Sequence, residues 1–364
     1  MTEPMPEFSR QGFEGMRRRL EELLSSAGRP LTFMEVCGTH TVSIFRSGLR
    51  SLLPDGLRLL SGPGCPVCVT DQSEIDMALA LAEKGCLVLT YGDMMRVPGS
   101  SGSLLDLKGR GARVEVVTSA IQSVDIARSC PDSQVVFLGV GFETTAPATA
   151  VTLKQALLHD LPNFSVLSLH KTVPPILRAL SSNPALNIDG FILPGNVTVV
   201  AGIEDYVFLT DELRKAAAVA GFQPEEILAA LVDLSSQVAS NRFCLRVFRA
   251  RETPRGGNPV ARKILWEVFE PCDTRWRGLG RVPASGCRIG RAYKRFDAAE
   301  RFGLFGLLPA PARDNGCRCG DVLSGLLTPP ECELYGTACT PLTPVGPCMV
   351  SGEGTCGAWR RYHP

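Results

Sequence analysis

Between about residue 30 and residue 200, short apolar, β-branched runs alternate with longer stretches of helical period, and this alternation leaves few folds open. Strand, helix and strand in succession read as a parallel β-α-β unit whose sheet is covered on both faces. The spacing predicts strands at Thr32 to Val36, Leu57 to Leu60, Leu87 to Tyr91, Val114 to Thr118, Val135 to Val140, Val166 to Leu169 and Gly190 to Leu193. These exceed one small sheet. A helix over Ser119 to Ser129, stopped by Pro131, separates a first α/β unit from a second that begins at Val135. A chain of 364 residues suggests two or three domains. The expected fold class is α/β, with two Rossmann-like parallel-sheet α/β units over 1–130 and 131–240. A third part, 241–364, opens with irregular and helical sequence and ends in a cysteine-rich domain.

In such sheets ligands gather where strands end and helix N-termini present free N–H groups. The unusual residues of this chain fall at those ends. They are Cys37-Gly38-Thr39-His40-Thr41, Gly62 through Cys68, Gly92 through Arg96, Gly139 through Thr145, and Pro194 through Thr198. One cleft between two α/β units could collect all five loops.

Charge excludes some functions. With 38 basic and 37 acidic residues, the chain carries no field that would draw it to nucleic acid or an anionic membrane. Apolar runs such as Val135 to Val140 are strand-sized, and the mixed-charge start, with Glu3, Glu7, Arg10 and Glu14, lacks the apolar stretch of a signal peptide. A cytoplasmic protein is expected.

Fourteen cysteines are many for a reducing compartment, where they point to metal binding or redox catalysis before structural disulfides. Six of them, Cys317, Cys319, Cys332, Cys339, Cys348 and Cys356, fall in a Gly- and Pro-rich tail that needs a staple to be ordered. A cubane iron–sulfur cluster requires four thiolates, so the tail holds two more than needed. Zinc sites favour two close C-x(2-4)-C pairs, whereas the tail has only the cramped Cys317-x-Cys319. An iron–sulfur domain is therefore preferred to zinc or a disulfide framework, although spacing does not choose four cysteines from six.

Cys65 and Cys68 form a C-x-x-C at a strand-to-helix turn, where two sulfurs can make a disulfide and the helix N-terminus favours a thiolate. Cys37 and His40 place a soft thiolate and an imidazole on one loop, with Thr39 and Thr41 to hydrogen-bond behind them. Glu143, Thr144 and Thr145 open a helix after a Gly-Val-Gly turn, where they could bind an anion or simply cap the helix. Cys86, Cys130, Cys244, Cys272 and Cys287 belong to no motif.

Together these segments closely resemble the HypD family of hydrogenase maturation proteins, from Phe33 to Tyr362. The resemblance is carried by Cys37 to Thr41, Gly62 to Thr70, Tyr91 to Pro98, Gly141 to Pro147, Trp276 to Gly286, Cys339-Thr340-Pro341 and Gly346 to Ser351. It implies a scaffold that works with the small partner HypC to assemble the Fe(CN)2CO unit of [NiFe]-hydrogenase. Cyanide would arrive as a thiocyanate on HypE, supplied in turn by HypF. It implies Cys37 as the iron ligand, with His40 nearby, and Cys65 with Cys68 as a redox dithiol. It further implies a [4Fe-4S] cluster on Cys317, Cys332, Cys339 and Cys356, with Cys319 and Cys348 as an extra dithiol beside it.

One departure stands out. The family usually reads Pro-Gly-His-Val-Ser where this chain has Pro194-Gly195-Asn196-Val197-Thr198. Asparagine hydrogen-bonds but is no base and a poor iron ligand, so Asn196 is assigned no catalysis. The competing reading is a free-standing iron–sulfur thiol–disulfide oxidoreductase, which would turn over without HypC. A nucleotide-binding enzyme is disfavoured, because the chain has no G-x-x-x-x-G-K-[ST] or G-x-G-x-x-G run.

Overall fold

The computed structural model describes residues 10–183, 185–249, 253–304 and 315–362. The chain before residue 10, with Glu3 and Glu7, and the opening of the tail from Pro309 to 314 lie outside the described residues.

Among the described residues nine strands form two parallel sheets. The first five-stranded sheet uses β1 (Leu31–Glu35), β2 (Leu57–Ser61), β7 (Gly190–Pro194), β8 (Ala216–Ala220) and β9 (Leu245–Phe248), in the order β2-β1-β7-β8-β9. The second uses β3 (Leu87–Thr90), β4 (Val114–Val116), β5 (Val135–Gly141) and β6 (Phe164–His170), in the order β4-β3-β5-β6. The α/β expectation holds, and all seven expected strands are present. Their grouping does not follow the chain, however: β3 pairs with both β4 and β5, so a division at 130/131 would cut the second sheet. The first sheet is discontinuous. It receives β7, β8 and β9 only after the whole second sheet has been traversed.

Burial explains why these runs are strands. Along β5, Val136, Leu138 and Val140 face a core shared between the sheets, while Val135 and Phe137 face helices Gln122–Ser129 and Ala146–Leu158. This period-two alternation, apolar on both faces, is what a parallel strand covered on both sides requires. On the outer face of the first sheet, Phe33, Ile192 and Ala218 pack beneath helices Arg10–Ala27 and Pro224–Ser240. Among the described residues no helix is long and apolar enough to cross a membrane.

The region expected to be irregular contains a hairpin, β10 (Phe269–Trp276) and β11 (Gly280–Ile289), paired antiparallel with a register shift between Cys272 and Thr274. Its tip is pinned to the C-x-x-C loop. Trp276 is fully buried, stacks on Phe142 with ring centroids 6.0 Å apart, and donates its indole N–H to Ser285 at 2.9 Å. Thr70 bridges Trp276, the Arg277 N–H donates to the Val69 carbonyl at 2.9 Å, and the Arg277 guanidinium reaches the Pro98 carbonyl. Two residues before Trp276, Thr274 donates to Glu74 at 3.0 Å, and buried Lys171 binds both carboxylate oxygens of Glu74 at 2.8 Å. One ion pair thus joins the end of β6, the helix Gln72–Glu83 that follows the C-x-x-C, and the hairpin.

Candidate functional site

The loops after β1, β2, β3, β5 and β7 surround a cleft of about 460 Å3. Its size is that of an ordinary small-ligand pocket. Cys37, Thr39, Tyr91, Thr144, Asn196 and Glu353 are among the residues that line it. All five expected loops contribute.

Cys37 leaves β1 in extended conformation and caps the helix Gly38–Arg46. Beneath it, the fully buried Glu35 accepts the Cys37 N–H at 3.0 Å and the Thr41 hydroxyl at 2.5 Å. Burial raises the Glu35 carboxyl to about 7, against the hydrogen bonds from Thr41 and Cys37 that pull it down. Burial also pushes the Cys37 thiol up to about 12, offset in part by the N–H groups of His40 and Thr39. Such a thiol stays protonated until a metal ion displaces the proton.

His40 is not in the cleft. Three residues beyond Cys37 its ring turns inward, fully buried, and donates from Nε2 to the Gly221 carbonyl at 2.8 Å beside Phe222. Burial lowers its imidazole to about 4. Thr41 is likewise committed to Glu35. Thr39 does reach the cleft, where it donates to Glu353 at 2.7 Å. Glu143 lies behind the wall: Oε1 accepts the Val173 N–H at 2.8 Å, capping helix Val173–Ser181, while Thr144 and Thr145 line the cleft.

The C-x-x-C loop meets the Cys37 loop through Gly64. A Cβ on Gly64 would lie 2.2 Å from the Cys37 backbone nitrogen, so only glycine permits the approach, and the Gly38 N–H donates to the Gly64 carbonyl. Cys65 caps the single turn Pro66–Val69, its sulfur accepting the Cys68 N–H at 3.3 Å. Both thiols are buried behind the cleft wall. Burial, with Cys348 and Cys65 alongside, pushes the Cys68 thiol well up.

Cys348 comes from the tail, where all six cysteines line one cavity with Arg318, Val322, Leu334, Tyr335, Gly346 and Met349. No disulfide joins any two of the fourteen cysteines. Burial, with Cys348, Cys317, Cys339 and Cys332 around it, pushes the Cys356 thiol well up, and the adjacent Cys319 does the same to Cys317. The Val345 N–H donates to the Cys339 sulfur at 3.4 Å, and a Cβ on Gly346 would sit 2.4 Å from the Cys317 sulfur. Among the described residues no three His, Cys, Asp or Glu side chains converge as one metal ion would require. A cubane makes a different demand, because each thiolate binds its own iron at a separate corner. Six thiols around one cavity, with the Arg318 guanidinium on its wall and an N–H aimed at sulfur, fit such a cluster.

The residues that sequence reading missed come from far along the chain. Glu353 reaches Thr39 across 314 positions, and the Ser351 hydroxyl bonds both Asp93 and the Glu353 N–H. No motif linked Glu353 to Cys37. Glu35, by contrast, adjoins the expected Cys37 motif, and its strand-end position was the available signal, while Gly64 lies within the expected loop.

Comparison with known proteins adds an independent line. The family model HypD, described as the hydrogenase formation hypA family, matches residues 13–363. The chain is 41% identical over 349 residues to the hydrogenase maturation factor HypD of Rhodobacter capsulatus, covering 95% of this chain and 93% of that protein. It is 42% identical over 365 residues to the HypD of Escherichia coli (strain K12), covering 98% and 96%. With the HypD of Azotobacter vinelandii it shares 40% over 342 residues, covering 92% and 90%.

Proposed function

The chain belongs to the HypD family of hydrogenase maturation factors, and we propose on that footing that it is the scaffold on which, with HypC, the Fe(CN)2CO unit of a [NiFe]-hydrogenase is assembled. The observation that carries this reading is the placement of Cys37, on the cleft wall and against Gly64, with buried Cys65 and Cys68 one loop away.

Cys37 offers a soft ligand to incoming iron, which is cargo here. Thr144 and Asn196 line the same cleft with groups able to donate hydrogen bonds to a cyanide nitrogen. Cyanide brought by HypE as a thiocyanate must be released reductively. The balance is R–S–C≡N plus two thiols giving R–SH, cyanide, one proton and a disulfide. Cys65 and Cys68 are the dithiol we assign to that step.

The disulfide must then be reduced for the next round. Cys68 faces Cys348, which lines the tail cavity, so a thiol path runs from cleft to cavity. A [4Fe-4S] cluster on Cys317, Cys332, Cys339 and Cys356 would supply single electrons when bound, leaving Cys319 and Cys348 beside it as exchanging thiols. Chemistry that depends on reduced thiols belongs in the cytoplasm.

The test is anaerobic co-purification with HypC followed by infrared spectroscopy. Cys37→Ala is expected to lose the cyanide and carbonyl bands while the protein keeps the brown colour of its cluster. Bands that persist in the variant overturn the reading.

A further inference from the structure

Tyr335 lies in the turn between Cys332 and Cys339; its N–H donates to the Cys332 carbonyl at 2.8 Å, and its backbone bridges Cys339. Its ring packs against Phe45, Ala358 and Trp359, which fixes the side chain on the wall of the six-thiol cavity. The hydroxyl is shielded from solvent and has no hydrogen-bond partner among the described residues. A buried phenol without an acceptor is rare in a native protein, because its hydration has been given up for nothing.

The cavity narrows what the acceptor can be. Apart from cysteines it is lined by Arg318, whose side chain only donates, and by apolar side chains such as Val322 and Leu334. Among the described residues no lining residue other than Tyr335 carries a side-chain oxygen, so the side-chain acceptors there are sulfurs.

We propose that the Tyr335 hydroxyl donates a hydrogen bond to a sulfur of the cluster bound in this cavity, tuning its reduction potential upward. The inference rests on the reading that the cavity holds a cluster. Added electron density on sulfur strengthens a hydrogen bond to it, so the donor stabilises the reduced form more than the oxidised. The Val345 N–H at the Cys339 sulfur acts in the same sense from another side.

The experiment is an EPR-monitored redox titration of the full-length protein, anaerobically reconstituted with iron and sulfide, comparing wild type with Tyr335→Phe. The variant removes only the hydroxyl. At a fixed potential its ratio of reduced to oxidised cluster is expected to fall about three- to tenfold, the scale of one neutral hydrogen bond. EPR reads only loaded clusters, so partial loading of the variant leaves the comparison valid. Should the variant load no cluster, hydrogen–deuterium exchange of the reduced wild type decides. An exchangeable proton coupled to the cluster spin, whose signal disappears when the tyrosines are uniformly replaced by phenol-methylated analogues, supports the proposal; its absence overturns it. An unchanged potential in loaded Tyr335→Phe overturns the role of Tyr335 and leaves the cluster standing. A wild type that takes up no cluster overturns the reading beneath both.

Discussion

Glu143 shows how a single buried side chain sets a pH response. Burial raises its carboxyl to about 7, the Val173 N–H pulls it down, and Asp205 adds to the rise; Oε2 has no partner among the described residues. A carboxyl whose folded value lies above its unfolded 4.5 holds its proton more tightly when folded. Its contribution is most favourable below the unfolded value and is lost as pH rises through about 7. Buried His40 and His170, both lowered to about 4, act oppositely, because folding expels their protons and acid destabilises them. Glu143→Gln keeps an oxygen for the Val173 N–H but cannot ionise, and comparison with wild type isolates the one group. The variant is expected to gain stability relative to wild type between pH 5 and 8, by up to about 3 kcal/mol from the size of the shift. Chemical unfolding at the two pH values measures it; parallel changes in both proteins would exclude the carboxyl.

At the level of elements, the join between the Cys37 and Cys65 loops depends on the absence of one methyl group. Gly64→Ala puts a Cβ into the Cys37 backbone, which is no flexible side-chain end and cannot yield cheaply. A loss of about 3 kcal/mol is expected, the upper end of overpacking, together with faster alkylation of Cys37 in the folded protein as its loop is pushed out. Elements were also where sequence reading was uneven. β1 to β7 were legible because Val, Ile, Leu and Phe alternate in runs bounded by Gly and Pro. β8 was not, since Ala216 to Ala220 is almost all alanine, small enough to lie beneath Leu231 and Leu234 but without strand character. The hairpin was hidden by Pro271 and Pro283 and by a register shift. Cys37, the C-x-x-C and the crowded tail cysteines stood out in the sequence, although spacing did not choose four of the six. Their contacts did not stand out, because Cys68 meets Cys348 and Thr39 meets Glu353 only through the tail's return to the cleft.

Across the whole molecule, the Lys171–Glu74 pair ties the second sheet to the C-x-x-C helix and the hairpin. Buried ion pairs add little net stability, yet breaking one strands the other charge. Lys171→Met is expected to cost about 3–5 kcal/mol. Adding Glu74→Gln should recover at least half, since glutamine still accepts the Asp71 N–H that Glu74 caps at 2.8 Å. Thermal unfolding of the single and double variants decides between charge and packing: a double variant no better than the single would assign the loss to packing. The second sheet, set between β2 and β7, also imposes an order on synthesis. A ribosome has made β1 and β2, with Cys37 and the C-x-x-C, long before their sheet can be finished, whereas β3 to β6 emerge as one uninterrupted stretch. The interior sheet can close first, and the strands made earliest must wait for β7. The nascent chain therefore cannot form a working cleft around Cys37, and the reactive thiols acquire their neighbours only when nearly all of the protein exists.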